Sequence, residues 1–461
     1  MITGFLTDYL LMFSPLLPGF YIALFLAVRA CKADATTTSL PVIYSFSHLL
    51  GIIFFSIAIQ CGIFLNLNVF NEDLFFSMLI LLGIISSYVL TRGHLLLVAF
   101  GKVVTGHMAF VLVLALLWGN QPIFGWDALK FWMPAAVDLI EVGSSQDIGW
   151  ESAKAFQHRH MATIPSILSW TTWVFERFSQ HLLTFNIGFH FAFFLAVFAA
   201  HHWRAVTGKN SFSIIGAAAV LTLPLMENHI LISGYAEIWL ACYLTAAATA
   251  GVLFLEKRTR RNLLFFLGLT SSIALLKNIG FIFAMTLGIS MCLIRLNEHE
   301  AERNVSVIYG AKVSALGYAS LLVVLIALCI TVFNFQGAEY DLAGRVLKLQ
   351  LNNPLEVMAF QANALIFNSS YSLLVFLFLI SASLWLRWKK ESQSHSSQDL
   401  LFFTTASLYL IYFLGQIFTD YIYFYSSPNN DTSGSRLFLP IAALAMMCAP
   451  QINAMTHSKK S

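Results

Sequence analysis

Long apolar runs, parted by short polar breaks, constrain this chain more than any motif does. Thirteen runs approach the roughly 20 residues a helix needs to span a bilayer. They are 9–28, 40–66, 74–91, 95–118, 182–203, 211–228, 232–254, 262–276, 279–295, 312–334, 365–387, 400–424 and 435–452. Charged residues make up 11% of the chain and apolar residues 58%, against about 25% charged in an ordinary soluble domain. A mean hydropathy of +0.75 agrees. So few charges cannot clothe a water-facing surface of this size, which excludes a soluble enzyme, a disordered tail and a collagen-like fibre. The expected fold is an all-α polytopic membrane protein with about 13 transmembrane helices. Residues 1–461 read as a single transmembrane domain without soluble linkers or internal repeats.

Other compositional signals add little. The net charge of +3 carries no basic cluster beyond Lys257–Arg261, so no nucleic-acid partner is expected. Five of the six cysteines fall inside apolar runs, with no CxxC spacing, so neither a disulfide framework nor a zinc site is indicated. The N-terminus lacks a basic stretch ahead of its first apolar run, which reads as a membrane helix rather than a cleaved signal.

Charge asymmetry orients the spans. With the N-terminus outside and the C-terminus cytoplasmic, 18 of the 26 Lys and Arg fall inside and 16 of the 23 Asp and Glu fall outside. Two large outer loops follow, 119–181 and 335–364. In the first, Trp126, Leu129, Met133, Ala136 and Ile140 share one helical face, and Asp127, Lys130, Asp138 and Glu141 share another. This predicts an interfacial helix with its aromatic face in lipid, Trp126 and Trp132 anchoring it among headgroups, and Pro134 kinking or restarting it. A helix that only ties the loop to the bilayer fits the same pattern. Residues 158–173 read as a second surface-lying or re-entrant piece. His158 and His160 lack a third ligand nearby, so a hydrogen-bonded loop pair competes with a metal site.

Four stretches, in order and all on the outer side, resemble the GT-C membrane glycosyltransferases. That superfamily includes the protein O-mannosyltransferases and the bacterial lipid A aminoarabinose transferases. The stretches are Trp126-Asp127-Ala128 through Trp132, Ser233–Ile238 with Tyr235 and Glu237, Leu276-Lys277-Asn278-Ile279-Gly280, and Ser435–Pro440 with Arg436. The resemblance covers 95–452 as a GT-C-like core and leaves 1–94 as additional N-terminal spans. Ile279 stands where the family often has Glu, and the loop has no Asp-x-Asp or Glu-x-Asp pair, so no metal cofactor is indicated.

The resemblance implies sugar transfer from a polyprenyl-phosphate-sugar donor to a lipid, glycan or protein acceptor, at the outer face of a bacterial inner membrane. Asp127 is then the catalytic base, and Arg436, Lys277 and Arg345 hold the donor phosphate. Lys130, Trp132, Glu237, Tyr235, His158 and His160 are candidate substrate contacts. Each cation has a plainer role open to it. Arg436 can snorkel at a helix end, Lys277 can cap a hairpin, and Arg345 can belong to a solvated face. Glu237 can equally be a water-facing carboxylate. Two other functions stay open: a polymerase or ligase of lipid-diphosphate glycans, and a flippase for lipid-linked sugars.

The charge asymmetry makes a topological prediction. A Ser144→Cys variant, in a cysteine-free background, reacts with a membrane-impermeant maleimide in intact cells. Protection of that cysteine reverses the orientation.

Overall fold

The computed structural model describes residues 2–31, 40–92, 94–119, 128–145, 162–223, 226, 230, 236–301, 354–361, 378–383, 396–418 and 431–450. Among the described residues the secondary structure is helical, without strands. Among the described residues, four helical stretches are long and apolar enough to cross a membrane: Ile2–Leu26, which is interrupted by a turn, Leu40–Phe64, Val98–Trp118 and Ala236–Glu256. The protein is a helical membrane protein. The expected run 312–334 lies outside the described residues, as does most of 365–387 and of loop 335–364.

The first expected span, 9–28, is two helices. α1 (Ile2–Leu11) ends before a 3₁₀ turn at Ser14–Leu16, and α2 (Leu17–Cys31) follows. Pro15 and Pro18 cause the break, because neither has an N–H for the carbonyl four residues back. Leu16 N–H bonds instead to Phe13 O, at 3.0 Å. α3 (Leu40–Phe64) crosses α2 at close range. A Cβ on Gly19 would lie 2.5 Å from His48 Cα, and one on Gly51 would lie 2.3 Å from Gly19 N. Only paired glycines allow that approach, a device typical of helices that associate in membranes.

α4 (Glu72–Arg92) and α5 (His94–Trp118) follow. Within the expected loop 119–181, a π-helical turn at Ala128–Trp132 leads into α6 (Met133–Ser144), and α7 spans Thr163–Phe178. Pro134 sits in the first turn of α6, where its missing N–H costs no helical bond, so it restarts the helix. α8 (Gly188–Thr207), α9 (Asn210–Leu221), α10 (Ala236–Glu256), α11 (Arg260–Ala274) and α12 (Asn278–Ala301) come next. α13 (Pro354–Gln361), α14 (Ser396–Phe418) and α15 (Asp431–Cys448) complete the described elements.

α10 is the axis. It packs against α8, α11, α12, α14 and α15, and Trp239 and Tyr243 on it are buried. It is apolar around its whole circumference, as a helix enclosed by others must be. α3 ties the N-terminal helices to the rest through α5, α6, α7, α8 and α11. One continuous apolar cluster therefore runs from Tyr9 to Cys448. The basic run Lys257–Arg261 makes the short turn between α10 and α11, where Thr259 caps α11 by accepting from Asn262 N–H.

In α1, one buried carboxylate organises the chain. Asp8 Oδ1 accepts from Ser179 Oγ at 2.8 Å and Gln180 N at 2.7 Å. Its Oδ2 accepts from Leu182 N at 2.7 Å and Leu183 N at 3.1 Å. The segment between α7 and α8 thus hangs on α1. This explains why α8 starts at Gly188 and not at the onset of its apolar run. Asp8→Ala leaves three backbone N–H groups without this acceptor, at about 1–3 kcal/mol for each that stays buried. Thermal unfolding in detergent falls strongly for Asp8→Ala and less for Asp8→Asn, which keeps one acceptor oxygen.

Candidate functional site

Two of the four stretches behind the family resemblance meet in space. Glu237 lies in the first turn of α10, and Lys277 lies in the hairpin between α11 and α12. Lys277 Nζ is 3.0 Å from Glu237 Oε1, with side-chain exposures of 16% and 2%. The hairpin is tight because of Gly280, where an added Cβ would lie 2.1 Å from Ile273 O. Gly280 N donates to Lys277 O at 2.8 Å and Leu276 N to Ile273 O at 3.2 Å, which fixes the lysine's backbone. The carboxylate also gains from the positive end of the α10 dipole. Residues expected to act separately, one on phosphate and one on acceptor, form a single ion pair whose carboxylate is buried and whose ammonium is partly exposed.

The other sequence-predicted positions are distributed unevenly. Asp127, His158, His160, Tyr235 and Arg345 lie outside the described residues. Arg436 falls in the helical backbone of α15, with its side chain outside them. Lys130 is exposed on the π-helical turn. Trp132, expected as a headgroup anchor, is buried at 3% exposure. It shares the enclosed face of this segment with Ala135, Ala136, Leu139 and Val142. That face packs on α7 and α3, so protein and not lipid covers it. α7, expected as a surface-lying or re-entrant piece, is enclosed: every residue of Thr163–Thr171 is buried, as are Val174 and Phe175. A polar loop sequence misleads here because Ser166 and Thr171 return their hydroxyls to carbonyls of their own helix.

The segments around 119–186 are pinned at several points. Val69 N donates to Gly143 O at 3.1 Å, and Thr184 N to Gly119 O at 2.6 Å. Asn186 Nδ2 donates to Ile230 O at 2.7 Å. Arg177 pairs with Glu72, but both are well exposed, so this pair adds little stability. Each of these contacts joins segments that the charge asymmetry assigns to the same side.

A second polar constellation escaped the sequence reading. Tyr44 Oη is 2.8 Å from His107 Nδ1. His107 Nε2 is 3.1 Å from His190 Nδ1, and His190 Nε2 is 3.0 Å from Met12 O. All three side chains are buried. His48 Nδ1 bonds to Tyr44 O at 2.8 Å. The signal was an ionisable ring inside an apolar run. Sequence spacing could not connect the rings, since His107 and His190 lie 83 residues apart. Among the described residues no group of His, Cys, Asp or Glu is placed to hold a metal ion.

No family model, curated protein or solved structure matches the chain.

The ion pair makes an energetic prediction. Removing one partner of a buried pair strands the other charge, at about 3–5 kcal/mol. Lys277→Met and Glu237→Gln each destabilise the protein by that order, and the double variant by much less than the sum. Denaturant unfolding in detergent measures the cycle. Additive losses mean the two side chains act independently.

Proposed function

We propose that the protein transfers a sugar from a polyprenyl-phosphate-sugar to an acceptor hydroxyl at the outer membrane face, as a multi-pass enzyme of about 13 spans. The observation that supports this reading is the Glu237–Lys277 pair. Two stretches chosen for their resemblance to GT-C enzymes, and predicted on one side, form one polar site at one end of an apolar bundle. In this reading Asp127 takes the proton from the acceptor hydroxyl as its oxygen attacks the anomeric carbon. The bond between that carbon and the phosphate oxygen breaks in the same displacement. Arg436, with Lys277 and Arg345, neutralises the phosphate as it leaves. Lys130, Tyr235, His158 and His160 line the approach of the substrates, and Trp132 holds the Asp127 segment against α7. No metal is required by this scheme.

A flippase for lipid-linked sugars is the second reading. The observation in its favour is the chain of buried imidazoles, since transporters keep ionisable groups in the bundle interior. The two readings differ in product. The enzyme makes a glycosidic bond, whereas the flippase moves a labelled lipid-linked sugar across a vesicle membrane unchanged.

The decisive assay is sugar transfer by purified protein in nanodiscs. General base catalysis is worth about 10²–10⁴-fold, so Asp127→Asn loses that much turnover while donor binding survives. Arg436→Ala weakens donor use, and Arg436→Lys restores it only in part, because a single ammonium cannot reproduce the guanidinium fork. Normal turnover in Asp127→Asn removes it as the base, and transport without a new bond replaces the enzymatic reading altogether.

A further inference from the structure

The buried chain Tyr44–His107–His190–Met12 has a direction. The Met12 carbonyl can only accept, so His190 Nε2 carries a hydrogen. In a neutral ring His190 Nδ1 is then an acceptor, and His107 Nε2–H donates to it. His107 Nδ1 in turn accepts from the Tyr44 hydroxyl. Every bond runs the same way, from tyrosine to carbonyl.

One added proton changes this little. His190 Nε2 still donates to Met12 O. One hydrogen is shared between His190 Nδ1 and His107 Nε2, as before. The new hydrogen sits on His107 Nδ1, and the Tyr44 oxygen, which has lone pairs, turns from donor to acceptor. All four ring nitrogens are hydrogen-bonded in both states. A second proton would place two hydrogens in the single contact between the rings, so the pair has room for one.

His48 offers the contrast. Its Nδ1 is engaged with Tyr44 O, while Nε2 is buried with no hydrogen-bond partner. A proton there makes a buried N–H without an acceptor, which is costly. The pair is flanked by aromatic rings rather than by charged side chains. Phe193 stacks on His107 with centroids 4.3 Å apart, and Phe13 meets His190 edge-on at 4.9 Å. The titratable groups facing it are Tyr44 and His48 from α3. Tyr9 of α1 touches Phe13 and donates to Met108 O at 2.6 Å. The 12–16 turn contributes the Met12 carbonyl and Phe13, and α8 contributes Phe193 and Phe194. Asp8, the nearest carboxylate in sequence, is engaged with the 179–183 segment.

We propose that His107 and His190 together form a proton-binding site inside the membrane domain, which takes up one proton per pair and turns the Tyr44 hydroxyl as it does so.

Nitrogen-15 NMR of histidine-labelled protein in nanodiscs, with proton uptake counted by potentiometry, tests this. Near neutral pH both rings should be Nε2–H tautomers. On acidification to about pH 4 both should change together as one proton is taken up, a range reached by perturbed histidines. His107→Gln and His190→Gln should each abolish the event, whereas His48→Gln should preserve it. Rings that titrate apart, uptake of two protons, or both rings staying neutral in folded protein at about pH 4 would overturn the proposal. So would loss of the event in His48→Gln alone. If a glutamine variant fails to fold, the coupled change of the two wild-type rings still decides.

Discussion

The Met12 carbonyl and the Asp8 carboxylate obey one constraint. A polar group inside an apolar bundle must find its partner within the protein, because no bulk water is there to supply one. Prolines at 15 and 18 break the first helix and turn the Met12 carbonyl toward His190. His190 is then committed as a donor, which orders His107 and Tyr44 behind it. Three helices distant in sequence, α3, α5 and α8, are held by a defect in the first. Asp8 does the same in α1, where it gathers the backbone of the segment joining α7 to α8.

Packing of the same kind governs the 119–181 segment. α6 is enclosed by protein on one face, and α7 along Thr163–Thr171. They bury Trp132, Leu139, Ile167 and Trp170 against each other and against α3. The described part of the loop is therefore a packed scaffold that presents its exposed residues, such as Lys130 and Glu141, in fixed places. A catalytic side chain needs that kind of support, since small displacements weaken proton transfer strongly. The π-helical turn at 128–132 adds a local irregularity directly after Asp127. Such turns recur at functional sites.

The Glu237–Lys277 pair sets a condition on the proposed chemistry. While the lysine is neutralised by the glutamate, its charge is only partly available to a phosphate. A donor that uses Lys277 must share it with Glu237 or displace it.

Residue order alone settled the class of fold. Apolar runs at helix-spanning length and a scarcity of charge leave an α-helical membrane protein as the outcome, and helices formed on most of the runs because local hydrophobicity and backbone pairing decide them. Gly280 in its hairpin and Pro134 at the start of α6 also acted as their residue types demand. What tertiary structure alone decided is which groups meet. Nothing in the order of residues joins Asp8 to Leu183, Glu237 to Lys277, or Tyr44 to His107 and His190. Nor does periodicity distinguish a face covered by lipid from one covered by protein, since both are apolar. That is why Trp132 reads as a headgroup anchor and is in fact enclosed by protein. Pairing across distant helices depends on packing geometry, and packing exists only once the chain has folded.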